Sequence, residues 1–431
     1  MSPNRTIEVP VLTRVEGEGA LDLRLRDDTI ESLQLRIFEP PRLFEKLLEG
    51  RPWSDVIDTV ARICGICPVA YQMSAVQALE GIFGVEVDPA IRALRRLMYC
   101  GEWIESHALH IHLLAAPDFL GFDSVTAMAE RYPDEVRRGL RLQGLGNRLL
   151  ALLGGRSVHP VSVCVGGFTR LPPKAELDAL LEDFRAALPE AEALVAWTAS
   201  LDLPDMTQEF PSVALRTDDA YPIEDGRIVS SEGLDIPREA FADHFTESQV
   251  PYSNALHCHL HGAPYLVGPL ARLNLNHDRL PEPVARSLEA TGIRFPSRNP
   301  FHSIVARAVE IFLAFREAVR IMESWQAPAG ARAGFSVRGG IGYGCTEAPR
   351  GILWHRYELA DDGTVRAATI TPPTSQNQAR IEQDLHLALP RFGLQRPDDE
   401  LRAFAEQVIR NYDPCISCAT HFLRLKVDRA S

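Results

Sequence analysis

The sequence has no apolar run long enough to cross a membrane. Its most continuous apolar stretches, such as residues 149–153, are far shorter than the roughly 20 residues that a bilayer-spanning helix needs. The first residues also lack the apolar segment that an export signal requires. We therefore expect a cytoplasmic protein with no direct membrane insertion.

Positive charge is also in short supply. The chain has 45 Lys and Arg residues against 58 Asp and Glu residues, which gives a formal net charge of −13. Proteins that bind nucleic acids through bulk electrostatics need basic side chains to neutralise phosphates, so this balance excludes such a partner. Hydrophobic residues make up 45% and charged residues 24%, which is typical of a folded globular protein.

Cysteine is scarce, and repeats and linkers are missing. Eight cysteines in 431 residues are too few for a disulfide scaffold. The chain length suggests about three domains as a first expectation. Because no low-complexity linker or fixed-period repeat divides the sequence, we expect instead a single domain over residues 1–431.

Apolar periodicity predicts an α+β fold that is predominantly helical, with a central bundle of long helices and small peripheral antiparallel sheets. Long helices are predicted over residues 89–117, 134–153 and 302–326. Arginines 92, 95 and 96 on the first of these are expected to form a solvated face. Alternating leucines predict an N-terminal β-hairpin over about residues 6–38.

Further hairpins are predicted around two Asp-Gly turns. Asp225-Gly226 divides strand-like residues between 212 and 235, and Asp362-Gly363 divides those between 352 and 371. These short strands lie outside the long helical patterns. They are the expected peripheral sheets.

Four of the eight cysteines form two CxxC pairs near opposite ends of the sequence. Cys64 and Cys67 lie in RICGIC, and Cys415 and Cys418 lie in DPCISC. Two thiolates three positions apart can bind one metal, and they are the soft ligands that late transition metals prefer. Pro68 makes Cys67 the expected cap of a helix, whose N-terminal dipole favours an ionised sulfur.

The spacing of the pairs leaves three interpretations open: one metal site shared by both pairs, a structural zinc site, and two unrelated pairs. In zinc ribbons the two pairs lie within about 15–20 residues of each other, whereas most of this chain separates Cys67 from Cys415. A shared site would therefore lie inside the completed fold. The spacing does not identify the metal.

The residues around both pairs resemble the large, catalytic subunit of nickel–iron hydrogenases. The resemblance covers essentially the whole chain, and its most specific internal motif is TEAPRG at residues 346–351. It implies the fold of that subunit, together with the reversible, heterolytic cleavage of H₂ into protons and electrons. The quinone-reducing relatives in complex I lack the cysteine pairs and match less well.

The resemblance implies a nickel–iron centre held by the four cysteines. All four would bind nickel, and Cys67 and Cys418 would also bridge to an iron that carries CO and cyanide. Cys64 and Cys415 would be terminal ligands. Heterolytic cleavage of H₂ needs an acid–base pair within bonding distance, and a terminal thiolate at Cys415 would accept the proton.

Other matching residues gain implied roles around that centre. Glu16 would relay protons from the terminal cysteine. Arg350 would polarise H₂ and hydrogen-bond cyanide, with Asp413 as its ion-pair partner. The remaining cofactor-binding residues would be Pro349, which shapes the turn, and Thr374 and Ser375, which would bond a cyanide ligand.

A second metal is implied near the second cysteine pair. Its ligands would be Glu45, the backbone carbonyl of Ile370 and His421. Oxygen ligands suit Mg²⁺, and the histidine leaves Fe²⁺ as an alternative. The resemblance also implies a maturation protease that removes residues 422–431 after His421.

Two departures from the family pattern point to one of its branches. Tyr71 stands where many members have a histidine, and Ser106 stands where an aspartate is usual. Both resemble the cytoplasmic, multi-subunit branch that couples H₂ to NAD(P). No cysteines remain in an iron–sulfur pattern, and the glycines of 339–344 do not fit a dinucleotide loop. We therefore expect an iron–sulfur small subunit, together with flavin-containing, NAD(P)-reducing partners.

Two alternative functions remain. A hydrogen-sensing regulatory subunit would keep the metal site and turn over slowly, whereas a zinc-clipped scaffold would use the cysteines structurally. His257, His259 and His261 alternate along a predicted strand and are a minor candidate for another metal site. We expect His107 and His110 to make buried polar contacts.

Overall fold

The computed structural model describes residues 4–421 and is built mainly from helices. Its α-helices are α1 Phe44–Leu48, α2 Val56–Val60, α3 Pro68–Phe83, α4 Pro89–Leu109, α5 Ala116–Leu120, α6 Val125–Arg131, α7 Pro133–Gly154, α8 Lys174–Ala199, α9 Phe241–His244, α10 Pro269–Asn276, α11 Glu282–Glu289, α12 Ser303–Ser324, α13 Pro373–Phe392, α14 Asp398–Asn411 and α15 Ile416–Ala419. Among the described helices, none combines the length and the apolarity that crossing a bilayer requires. The predicted tail 422–431 lies outside the described residues.

The strands form small antiparallel sheets. They are β1 Arg5–Val9, β2 Gly19–Arg26, β3 Thr29–Ile37, β4 Val163–Cys164, β5 Gly167–Phe168, β6 Val213–Arg216, β7 Arg227–Ser230, β8 Asp235–Ile236, β9 Phe245–Gln249, β10 Leu256–Leu260, β11 Gly340–Ala348, β12 Gly351–Leu359 and β13 Val365–Thr371. The three-stranded sheets have the orders β1-β2-β3, β6-β7-β8 and β11-β12-β13. The predicted mainly helical α+β class with small antiparallel sheets is confirmed.

The helix α4 begins as the sequence predicts. Asp88 accepts a hydrogen bond from the backbone N–H of Ala90 at 2.7 Å, and Pro89 occupies the first helical position. Beyond Leu109 the chain continues as a π-helical turn over His110–Ala115 and then as α5. The predicted end at residue 117 is therefore three residues short of the end of α5.

The long helices pack together at the centre of the molecule. α4 packs against α7 and α12, and α12 packs against α8. A Cβ atom on Gly146 of α7 would lie 2.6 Å from the carbonyl oxygen of Gly101 on α4. Only glycine permits this approach of the two backbones, which brings α4 close to the helices that surround the cysteines.

Two tight turns place the strands that matter for the site. Asp27 and Asp28 have φ angles of 48° and 60°, as a two-residue hairpin turn requires, and β1 adds a third strand to the predicted hairpin. Ala348 pairs with Gly351 at the end of β11 and β12, so the hairpin loop is only two residues long. Residue 350 therefore lies at its tip.

The arginines of α4 differ from expectation. Arg95 makes a bidentate ion pair with Glu80, and both residues are 8% exposed. Arg96 lies between Glu224 and Glu317 at 2.9 Å from each. The prediction of a solvated face is wrong for these two residues because their acidic partners come from other segments of the chain.

Candidate metal centre

The two cysteine pairs meet in the interior. All four Sγ atoms lie within 4.8 Å of one another, and no cysteine of the four is more than 3% exposed. The Sγ–Sγ distance is 3.4 Å between Cys64 and Cys415 and 3.6 Å between Cys67 and Cys418. The fold thus joins segments that lie 351 residues apart into one sulfur cluster.

Local structure aims the sulfurs inward. Cys67 and Cys415 are the residues that precede α3 and α15. The backbone N–H groups of Ile66 and Cys67 donate to the Cys64 sulfur at 3.3 and 3.2 Å. These donors stabilise a thiolate at that position, since a hydrogen bond to the charged form favours it.

The thiols have sharply different acidities. Burial raises the pKa of Cys67 and of Cys415 well above the usual range. Burial also acts to raise the pKa of Cys64, but hydrogen bonds with the other thiols outweigh it and hold that pKa well below its usual range. A buried cluster of this kind favours a cation that replaces the thiol protons.

The Glu16 carboxylate contacts the cluster directly. Its Oε2 accepts hydrogen bonds from the Cys415 thiol at 3.1 Å and from the Ser417 N–H at 3.0 Å. The Ile416 N–H donates to the Glu16 carbonyl at 2.9 Å. Glu16 is half-buried, so its carboxylate lies between the buried sulfurs and the surface.

Arg350 lies at the tip of the β11–β12 hairpin, beside Asp413. Its Nε donates to the Asp413 carbonyl at 2.6 Å, and its Nη2 donates to Asp413 Oδ1 at 2.9 Å. Burial acts to lower the Arg350 pKa, but the charges of Asp413 and Cys415 hold it well above its usual value. The guanidinium is therefore a fixed cation next to the sulfurs, as the sequence interpretation expects.

Two buried donors near the cluster have no hydrogen-bond partner within residues 4–421. They are Arg350 Nη1 and the hydroxyl of Ser375. The neighbouring Thr374 Oγ1 accepts the N–H of Cys415 at 3.1 Å. A zinc ion held by four thiolates would give these donors nothing to bond, whereas a metal with polar diatomic ligands would supply acceptors. The residues present fit a nickel–iron centre with such ligands.

The second expected metal ligands also converge. His421 Nε2 lies 2.7 Å from the Ile370 carbonyl and 3.6 Å from Glu45 Oε1. Burial acts to lower the His421 pKa, but the Glu45 carboxylate raises it above its usual value. Two oxygens and one nitrogen fit a divalent cation once the Nε2 proton leaves. His421 Nδ1 is 2.6 Å from the Cys418 carbonyl, which links the two candidate sites.

The two departures from the family pattern both lie in the core. Burial raises the Tyr71 pKa well above its usual value, and the charges of Cys418 and Cys67 act in the same direction. Tyr71 is therefore a neutral phenol beside the sulfurs. Ser106 is fully buried, and its hydroxyl has no partner among the described residues.

Sequence reasoning missed Glu102, which completes the N-terminus of α3. The Cys67 side chain makes no capping hydrogen bond. Instead Glu102 on α4 accepts the N–H groups of Val69 and Ala70 at 2.6 and 3.1 Å. A helix that starts with Pro after Cys, without a Ser, Thr, Asp or Asn cap, was the only signal that an external acceptor was needed.

The other histidines form no comparable site. His257 and His259 lie on β10, but His261 follows the strand and its Nε2 lies 2.8 Å from His244 Nδ1. In the described part of the chain, the four cysteines are the only group of three or more possible ligands that could hold a metal. His107 contacts Glu310 and His110 contacts the Arg410 carbonyl, so both make the expected buried polar contacts.

Comparison with known proteins gives one family for nearly the whole chain. The family described as nickel-dependent hydrogenase matches residues 42–137 and 228–421. The alpha chain of sulfhydrogenase 1 of Pyrococcus furiosus is 34% identical over 97% of this chain and 98% of its own length. A chain of the F420-non-reducing hydrogenase of Methanothermobacter thermautotrophicus is 31% identical over 95% and 93%.

Known structures show the same architecture. A chain of an NAD⁺-reducing NiFe hydrogenase in the H₂-reduced state superposes with a TM-score of 0.88, at 28% identity over 97% of this chain and 99% of that one. A NiFeSe hydrogenase chain of Desulfovibrio vulgaris Hildenborough gives a TM-score of 0.81 at 22% identity, covering 97% and 100%. The shared fold extends over nearly the whole length of both.

Proposed function

The chain belongs to the nickel-dependent hydrogenase family, and as its catalytic large subunit we propose that it interconverts H₂ with protons and electrons at a nickel–iron centre. The observation that carries this proposal is the 3.1 Å contact between the Cys415 thiol and Glu16 Oε2 at the edge of the sulfur cluster. A structural zinc site has no use for a half-buried carboxylate bonded to a ligand sulfur.

Four sulfurs would hold the metals. Cys64 and Cys415 would be terminal nickel ligands, and Cys67 and Cys418 would bridge to an iron whose CO and cyanide ligands accept bonds from Arg350 and Ser375. When bound, this group supplies the Lewis acid and the electron acceptor that heterolytic H₂ cleavage requires. Because the ligands come from both ends of the sequence, we propose that residues 1–431 fold as one domain.

Proton movement would use residues of this chain. Cys415 would take the proton from H₂, and Glu16 Oε2 would receive it across the existing hydrogen bond. The Ser417 N–H holds that oxygen in place, so the transfer needs little rearrangement. The half-buried position of Glu16 lets the carboxylate pass the proton outward.

Arg350 would act as a fixed positive charge above the metals. Asp413 orients it through two hydrogen bonds, which leaves Nη1 to face the reacting molecule or a cyanide ligand. A preorganised cation in a buried site stabilises developing negative charge without reorganising solvent. Pro349 would hold the turn that carries it.

Electrons would leave through an iron–sulfur small subunit. Gly65, between the first two cysteines, is exposed, and its Cβ position lies 4.0 Å from Val158. Val158 and Val161 are 49% and 45% exposed, which makes an apolar patch over the first cysteine pair. This patch is the docking site that we propose for the partner. The NAD⁺-reducing structural relative supports flavin-containing, NAD(P)-reducing subunits beyond it, in a cytoplasmic complex.

A second cation, Mg²⁺ or Fe²⁺, would bind at Glu45, the Ile370 carbonyl and His421. We further propose that a maturation protease cleaves after His421. The His421 carbonyl accepts the Phe44 N–H at 2.7 Å, so the backbone at this residue is held against the start of α1. Mass spectrometry of the active enzyme should find His421 as the last residue; a full-length active chain would overturn the cleavage.

Infrared spectroscopy of the purified complex, combined with metal analysis, tests the main proposal. We expect nickel and iron at the cysteine site in equal amounts and bands from CO and cyanide. Zinc without such bands would establish the scaffold alternative. Bands accompanied by slow turnover and a regulatory partner would establish the hydrogen sensor.

A further inference from the structure

Arg272 on α10 is a fully buried arginine that uses every one of its donors. Its Nε and Nη2 donate to the two carboxylate oxygens of Glu310 at 2.7 and 2.8 Å. Its Nη1 donates to Glu347 Oε2 at 2.8 Å. The remaining two N–H groups donate to the carbonyls of Ala348 and Pro349, both at 2.8 Å. These five bonds account for all five N–H groups of a guanidinium.

The acids around Arg272 are themselves held in place. Tyr221 donates to Glu310 Oε1 at 2.8 Å, and His107 Nε2 lies 2.9 Å from Glu310 Oε2. The Leu215 N–H donates to Glu347 Oε1 at 2.7 Å. Arg272 and both glutamates are 0% exposed. Buried and fully bonded, the network has one arrangement and no solvent to relax it.

The two carbonyls are the informative contacts. They belong to the residues immediately before Arg350, and Ala348 and Pro349 lead into the two-residue loop of the β11–β12 hairpin. Such a loop has few internal bonds, so its orientation depends on the groups that bind it. On the other side Arg350 binds Asp413.

We propose that Arg272 is a positioning residue for Arg350. It fixes the Ala348–Pro349 backbone so that the Arg350 guanidinium stays over the sulfur cluster at the distance that the reaction needs. This inference deepens the proposed function and rests on the role given there to Arg350. Arg272 itself touches neither the thiols nor Asp413 through any hydrogen bond among residues 4–421.

Lysine cannot replace Arg272. A lysine carries three donors on a single nitrogen, which cannot reach two carboxylates and two carbonyls at once. In Arg272→Lys the carboxylates would take the ammonium and release the carbonyls. A displacement of about 1 Å at a catalytic group can lower the rate about 100-fold, so we expect a loss of H₂ oxidation of about 10- to 100-fold.

The test uses the purified complex and a double-mutant cycle. Arg272→Lys, Arg350→Lys and the double variant are compared for H₂ oxidation, nickel content and infrared bands of the diatomic ligands. If Arg272 acts through Arg350, Arg272→Lys shifts those bands at full nickel content. It then causes no further loss when Arg350 is already lysine. Arg95→Lys, which alters a buried bidentate pair with Glu80 away from the turn, is the matched control and should change neither bands nor rate.

A second variant keeps the test sharp if Arg272→Lys does not fold. Glu310→Gln removes one charge of the network, keeps its shape and should cause a smaller loss with the same band shift. Equal losses in the wild-type and Arg350→Lys backgrounds, or unshifted bands in Glu310→Gln, would overturn the inference. An unimpaired Arg350→Lys would instead remove the proposed role of Arg350.

Discussion

The Cys415 thiol and the Glu16 carboxylate are hydrogen-bonded across 3.1 Å, although the two residues are 399 positions apart in sequence. Backbone pairing enforces this contact, since residues 16 and 415 form a parallel bridge. Gly17 makes the bridge possible. At its φ of +88°, a Cβ atom would lie 2.7 Å from Ile416 Cβ. The proposed proton acceptor is thus built into the backbone that pairs with the cysteine.

Glu16→Gln should separate proton transfer from metal binding. The amide keeps the size of the carboxylate but cannot take a proton, and general acid–base groups contribute about 10²–10⁴-fold to rates. We expect D₂/H⁺ exchange to fall at least about 100-fold with nickel content unchanged. Glu18→Gln, at an exposed position two residues away, should exchange normally. Normal exchange in Glu16→Gln would refute the relay.

Glu45→Gln should empty the second cation site and leave the first intact. The amide removes the negative charge that a divalent cation needs. It also removes the carboxylate that raises the His421 pKa. Elemental analysis should show loss of magnesium or the second iron with nickel retained. Glu49→Gln, just after the same helix, is the control; equal losses in both variants would contradict the assignment.

Two glycines of α7 should respond in opposite directions to alanine. In Gly146→Ala the new methyl would lie 2.6 Å from the Gly101 carbonyl, and overpacking of this kind costs about 1–3 kcal/mol of stability. In Gly144→Ala nothing lies within 4 Å, so the helix should gain about 0.5–1 kcal/mol. Urea unfolding of both variants measures the difference. Similar values would mean that α4 and α7 do not pack as described.

Stability should fall in acid because of a histidine in the π-helical turn. His112 is buried and stacked on Trp197, with ring centroids 5.3 Å apart. Burial, with the charge of Arg138, lowers the His112 pKa from 6.5 to about 3. Between these values the unfolded chain binds a proton that the folded chain does not. The free energy of unfolding therefore drops as pH falls below the unfolded pKa, by up to about 1.4 kcal/mol per pH unit.

His112→Phe removes this contribution while keeping an aromatic ring against Trp197. Urea midpoints measured from about pH 8 to about pH 4 should fall less steeply for the variant below the ordinary histidine pKa of about 6.5. Above about pH 7 the two proteins should show parallel dependence. Identical slopes in acid would show that His112 is not held neutral by the fold.

What the sequence predicted depended on how local the signal was. The starts of α4 and α12, the tight turns and the two cysteine pairs carry signals within a few residues. The Arg272 network could not be predicted, because its acids come 38 and 75 residues later. For the same reason the arginines of α4 looked solvated. A charged residue on a helix gives no local sign of a distant partner that buries it.

The meeting of Cys64 with Cys415 has a consequence for how the protein is made. Contacts between residues so far apart in sequence form late in folding, because the intervening chain must first be ordered. A misfolded or truncated molecule therefore presents at most half of the sulfur cluster. Loading of the metal becomes a checkpoint on the completed fold, and a cell that follows nickel incorporation is inspecting the quality of the whole chain.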